Sequence, residues 1–93
     1  MENDPVFVGK KEIKHYIAAG LFALSKSEKV VIKSRGKNNK TALDVLAILK
    51  RDYVENPKYD VMVDSEEFKD DTGKINKVTT LEIELSGIRK EKE

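Results

Sequence analysis

Val30-Val31-Ile32-Lys33-Ser34-Arg35-Gly36-Lys37 is the stretch on which the fold turns. Its three successive β-branched residues favour extended backbone, and Arg35-Gly36 supplies a break. A helical pattern stands on either side. Upstream, Ile13, Tyr16, Ile17, Leu21 and Leu24 are spaced to form one stripe of a helix. Ala18, Ala19 and Ala23 add helix propensity, whereas Gly20 costs about 1 kcal/mol relative to Ala, which points to close packing there. Downstream, past the polar loop Lys37-Asn38-Asn39-Lys40, a second stripe is made of Ala42, Val45, Leu46, Leu49 and Tyr53. Thr41 is placed to cap that helix, with Asp44 three residues on, and Asn56-Pro57 is placed to stop it. Leu43 and Ile48 are apolar off the stripe, so the second helix is expected to bury two faces.

Further out, Val6-Phe7-Val8 between Pro5 and Gly9 reads as a short buried strand. The last third alternates with period two. Tyr59, Val61 and Val63 oppose Asp60, Met62 and Asp64, and Leu81, Ile83 and Leu85 oppose Thr80, Glu82 and Glu84. Asp71-Thr72-Gly73 is the expected turn of a long hairpin between them. The order is βαβαββ. The expected fold is an α/β (α+β) sandwich with two helices packed on a four-stranded mixed sheet, from which the hairpin projects. A single domain over residues 1–93 is expected, with a short acidic lead at 1–5 and a charged tail at 87–93.

Several function classes drop out. The chain has no cysteine and one histidine, His15, so no disulfide, thiolate metal site or zinc set is expected. No paired acid/base spacing, nucleophile constellation or glycine-rich phosphate loop is present; no catalytic residue, cofactor or metal is expected. No apolar stretch is long enough to span a bilayer, and the acidic start lacks the basic region of a signal peptide, so a soluble intracellular protein is expected.

Charge is the informative quantity. Charged residues are 38% of the chain and the net charge is only +1. Residues 10–40, however, hold nine lysines and arginines against Glu12 and Glu28, a local +7, whereas residues 52–93 carry −5. Such segregation creates a local field that the average hides. Lys10 and Lys11 sit where the first strand becomes a helix, a place that suits anions. Strand alternation places Lys33, Arg35 and Lys37 in one row beside them, and Lys40 completes the basic segment. Three like charges in a row are unfavourable unless a polyanion faces them. Lys74 and Lys77 flank the hairpin, which also carries Glu66, Glu67, Asp70 and Asp71 and is acidic overall.

Together, Val6-Phe7-Val8-Gly9-Lys10-Lys11, Val30-Val31-Ile32-Lys33-Ser34-Arg35-Gly36-Lys37, and Gly73-Lys74 followed by Lys77-Val78-Thr79-Thr80-Leu81-Glu82-Ile83 resemble the Alba family of archaeal chromatin proteins. The resemblance runs from about residue 6 to 86. It implies a homodimer that binds double-stranded DNA and RNA without marked sequence preference, associated with the nucleoid in the cytoplasm. By resemblance, Lys10, Lys11, Lys33, Arg35 and Lys37 face the nucleic acid, and the paired hairpins, with Lys74 and Lys77, reach toward the minor groove. An apolar surface of the second helix, with Leu43, Leu46 and Leu49, and the aromatic Tyr53 near its end would serve contacts between protomers or between dimers. Two departures stand out. The lysine of the loop after the second strand, here Lys40, is shifted by one position, and the hairpin is acidic.

Three functions remain open on the sequence. The first is phosphate-dominated duplex binding in chromatin architecture. The second is RNA binding in RNA stability or a ribonucleoprotein, since A-form RNA is read by shape. The third is an interaction protein with little nucleic-acid affinity, which the near-zero net charge favours. Acetylation of Lys10 or Lys11 would remove a phosphate partner. The acidic hairpin leads to an expectation of weaker, more salt-sensitive binding than the resemblance alone implies.

Overall fold

The computed structural model describes residues 4–90. Strand β1 is Val6–Phe7, helix α1 Ile13–Ser27, strand β2 Lys29–Arg35, helix α2 Asn39–Ile48, strand β3 Val54–Lys69 and strand β4 Ile75–Arg89. A 3-10 turn, Gly36–Asn38, joins β2 to α2, and a π-helical turn, Leu49–Tyr53, leads from α2 into β3. The sheet order is β1-β2-β4-β3, with β1 parallel to β2 and the other pairs antiparallel. This is the expected βαβαββ arrangement. Among the described residues no helix is long and apolar enough to cross a membrane. Residues 1–3 of the acidic lead and 91–93 of the charged tail lie outside the described residues. Gly87 to Arg89, expected in that tail, are the last residues of β4.

One face of the sheet carries the core. Val30 and Ile32 of β2 and Ile83 and Leu85 of β4 are buried in one cluster with Tyr16, Ala23 and Leu24 of α1 and Ala42, Val45 and Leu46 of α2, and Leu81 is buried beside them on β4. Gly20 has the packing reason its sequence position suggests. A Cβ there would stand 2.8 Å from a methyl of the buried Leu49, so an alanine would have to displace that side chain. The other face of the sheet is open. Register places Phe7 beside Lys33 and Lys33 beside Glu82, and Met62 opposite Glu82 follows on β3.

Several local expectations give way. α2 starts at Asn39, not after Thr41, and no side chain caps it; Asp44 instead pairs with Lys40 at 2.9 Å. Asn56-Pro57 does not stop the helix, because the chain is already extended from Val54. It forms an irregularity inside β3 between Glu55 and Lys58, with Asn56 at φ 49°, which is how an edge strand tolerates proline. The first strand is only two residues long, and Phe7 points to the open face at 69% exposure; Val8, beyond its end, is buried. The second helix does not bury two faces within the chain, since Leu43 is 44% exposed. Leu46 and Leu49, expected at an interface, belong to the core of the chain itself.

Candidate nucleic-acid interface

The parallel pairing of β1 and β2 brings two basic segments to one end of the sheet. Phe7 lies beside Lys33, and the Val8 amide donates to the Lys33 carbonyl at 2.9 Å. The chain therefore leaves β1 through Gly9-Lys10-Lys11 at the end where β2 delivers Arg35, and both helices begin there. Tyr16 fixes this corner. From its buried ring on α1, its hydroxyl accepts the backbone N–H of Gly9 and that of Lys11, each at 2.9 Å. Those amides are thus engaged, and Lys10 and Lys11 offer their side chains rather than a nest of free N–H groups. Both lysines are exposed and have no carboxylate partner among the described residues.

Lys37 is not in the row with Lys33 and Arg35. Gly36 takes a positive φ of 60°, which ends the strand, and Lys37 lies in the 3-10 turn, exposed and unpaired among the described residues. The strand row is Lys29, Lys33 and Arg35, the residues that alternate with buried Val30, Ile32 and Ser34. Each of them meets a carboxylate. Lys29 Nζ lies 3.8 Å from Glu84, Lys33 Nζ 3.3 Å from Glu82, and Arg35 Nη2 3.3 Å from Glu66 on β3. Lys77 faces Glu67 at 3.6 Å across the hairpin. Lys40 is held by Asp44, whose hydrogen bond and then whose charge raise the lysine pKa. These pairs are partly or largely accessible to solvent, so water and salt screen them.

The hairpin rises from this same end. Arg35 is in register with Thr80, so residues from Ser65 to Thr79 run past the end of β2. A polar latch holds its base. The Ser34 hydroxyl donates to Asn39 Oδ1 at 2.7 Å, and Asn39 Nδ2 donates to the Thr79 carbonyl at 2.9 Å. At the tip, Asp70 Oδ1 accepts from the Thr72 and Lys74 amides and from the Thr72 hydroxyl. Lys74 is exposed beside that turn. Between the arm and the end of β1–β2 runs an open groove of about 720 Å³, lined by Phe7, Lys33, Arg35, Met62, Glu66 and Glu82 among others.

Tyr16 and Asn39 are not singled out as site residues by sequence reasoning, since one belongs to a helix stripe and the other to a polar loop. Glu66 and Glu82 count there as acidic residues of the last third, but not as the partners of named cations. The signal for Glu82 is present: it alternates with Leu81 and Ile83, as Lys33 alternates with Ile32 and Ser34, and pairing β2 with β4 sets them opposite each other.

The model of the Alba family matches residues 5–62. A protein of Picrophilus torridus named DNA/RNA-binding protein Alba is 33% identical over 88 residues, covering 91% of this chain and 97% of the relative. A protein of the same name from Nanoarchaeum equitans is 36% identical over 84 residues, covering 86% and 93%. The solved structure of Alba from Thermoplasma volcanium superposes with a TM-score of 0.78 at 32% identity, covering 89% of this chain and 99% of that one. The family model spans both helices and reaches into β3, the relatives and the solved structure cover about nine-tenths of the chain, and the chain belongs to the Alba family.

Proposed function

We propose that this protein binds double-stranded DNA or RNA without sequence preference, mainly through phosphate contacts, as a homodimer that contributes to chromosome architecture in the cytoplasm. One observation carries this reading. Lys10, Lys11 and Lys37, exposed and unpaired among the described residues, stand with Arg35 at the end of the sheet from which the hairpin projects. Flexible, exposed ammonium groups act as point charges for a phosphate backbone, which carries no sequence information. The relatives' shared name, DNA/RNA-binding protein, supports the same chemistry. Acetylation of Lys10 or Lys11 would weaken binding by neutralising one of these ammonium groups.

Titration of short mixed-sequence DNA and RNA duplexes over a range of salt concentrations tests the proposal. Replacing Lys10 and Lys11 by alanine is expected to weaken binding to all duplexes alike. The log–log salt slope should fall by about 0.9 for each phosphate that is no longer neutralised. Unchanged affinity at low salt would remove the corner from the interface. The carboxylates paired with the strand cations favour the second reading, a protein of the same fold with little affinity for nucleic acid; absence of any complex with the parent protein at low salt would establish it.

A further inference from the structure

We propose that Glu66, with Glu82 behind it, acts as an internal competitor for the nucleic-acid surface, occupying Arg35 and Lys33 until a phosphate displaces it. The proposal rests on nucleic-acid binding by this chain. Arg35 is the cation best suited to a phosphate, because its planar fork presents paired N–H donors. Its Nη2 instead lies 3.3 Å from Glu66 Oε2, although the two residues are on strands separated by β4. The strand order explains the reach. Arg35 is in register with Thr80 and Glu66 with Val78, so the β4 positions between them carry Thr80 and Val78, neither of them a charged residue.

The surroundings reinforce the pair. Lys33 faces Glu82 at 3.3 Å, and Asp64 lies opposite Thr80 on the same face. Along the groove, Lys33 and Arg35 therefore stand against Asp64, Glu66 and Glu82, more carboxylates than cations. A phosphate that reaches Arg35 must displace a carboxylate and then sit beside it. Lys10, Lys11 and Lys37 impose no such exchange. The surface thus has two tiers: an open corner that meets the duplex first, and a strand cation engaged only against internal competition. The Arg35 and Glu66 side chains are 59% and 58% exposed, so the pair is screened and reversible rather than a permanent block.

A double-mutant cycle on the full chain tests this, using parent, Glu66→Gln, Arg35→Ala and the combined variant against short DNA and RNA duplexes at several salt concentrations. Glu66→Gln is expected to tighten binding by about two- to five-fold per protomer. In the Arg35→Ala background the same change should have almost no effect. A gain that persists without Arg35 overturns the proposal, since it would report net charge alone. So does a Glu66→Gln protein that binds like the parent while Arg35→Ala weakens binding. If neither parent nor variants bind at low salt, the nucleic-acid reading itself fails and takes this one with it. Glu66 is solvent-exposed, so a melting curve matching the parent's is the expected check on folding.

Discussion

Tyr16 joins sequence, packing and site in one side chain. Its ring belongs to the apolar stripe of α1 and is 6% exposed, yet its hydroxyl accepts two backbone N–H groups from the loop that carries Lys10 and Lys11. Tyr16→Phe keeps the ring and removes the acceptor. A net contribution of about 0.5–1.5 kcal/mol per hydrogen bond, reduced where water can replace it, gives an expected destabilisation near 1–2 kcal/mol. Urea unfolding should show a lower midpoint with an unchanged slope. Amide exchange at Gly9 and Lys11 should accelerate, a local effect that general loosening of the core would not confine to those two residues. Protection at both amides equal to the parent's would show that the hydroxyl does not hold the corner. Periodicity places Tyr16 correctly in the core, but a hydrophobic stripe says nothing about where a hydroxyl at its edge finds its partners. Lys37 leaves the strand row for a related reason: alternation holds only as far as Arg35, because the positive φ of the next residue, Gly36, ends the strand.

Among the elements, the hairpin is the least legible in the sequence. Alternation identifies its two apolar halves, Tyr59 to Val63 and Leu81 to Leu85, but β3 and β4 run to Lys69 and from Ile75. The outer segment is charged and lacks an apolar face, so its strand character comes from the cross-strand ladder and the turn rather than from burial. The turn itself is readable from Asp71-Thr72-Gly73, whereas the residue that organises it, Asp70, lies just before that triplet. Hydrogen bonds from the Thr72 hydroxyl, Asn76 and the Thr72 and Lys74 amides hold the Asp70 carboxyl below the ordinary aspartate range. A carboxylate depressed in the folded state stabilises the turn above its unfolded pKa and loses that contribution as pH falls through its folded pKa. The turn should therefore loosen only below about pH 4. In an NMR titration the Thr72 and Lys74 amide signals should move together in that range, and Asp70→Asn should abolish the movement. A midpoint at or above that of an unpartnered aspartate contradicts the assignment. The ion pairs of β2 are hidden for a topological reason. The cations can be counted from the sequence and Glu82 follows once β2 pairs with β4, but Glu66 becomes a neighbour of Arg35 only through the order β1-β2-β4-β3.

Over the whole molecule, the long arm creates an imbalance that a second copy would resolve. The chain measures 57 × 23 × 22 Å, and its edge strand β3 is exposed from Lys58 outward. Tyr59, Val61 and Val63 lie opposite Leu85, Ile83 and Leu81, on the core face of the sheet, yet are 47%, 38% and 66% exposed because the helices do not extend over them. Just past α2, Lys50 covers only Tyr59, its ammonium 4.2 Å from the ring centre, and Leu43, about two turns earlier on that flank, is exposed. An apolar strip of this kind on an edge strand marks an association surface, and a two-stranded arm gains stability from being packed. Of the residues that the resemblance assigns to an interface, Leu43 remains available, Leu46 and Leu49 are committed to the core, and Tyr53 is half-buried. The expected occupant is the same strip of a second chain. Val63→Lys should then convert the sedimenting species from dimer to monomer, leaving the far-ultraviolet circular dichroism of the protomer unchanged. Because a dimer presents every basic corner twice, the same variant should lose about half of the salt slope for duplex binding. A parent protein that sediments as a monomer at micromolar concentration, or a Val63→Lys protein that remains dimeric, would place the association surface elsewhere.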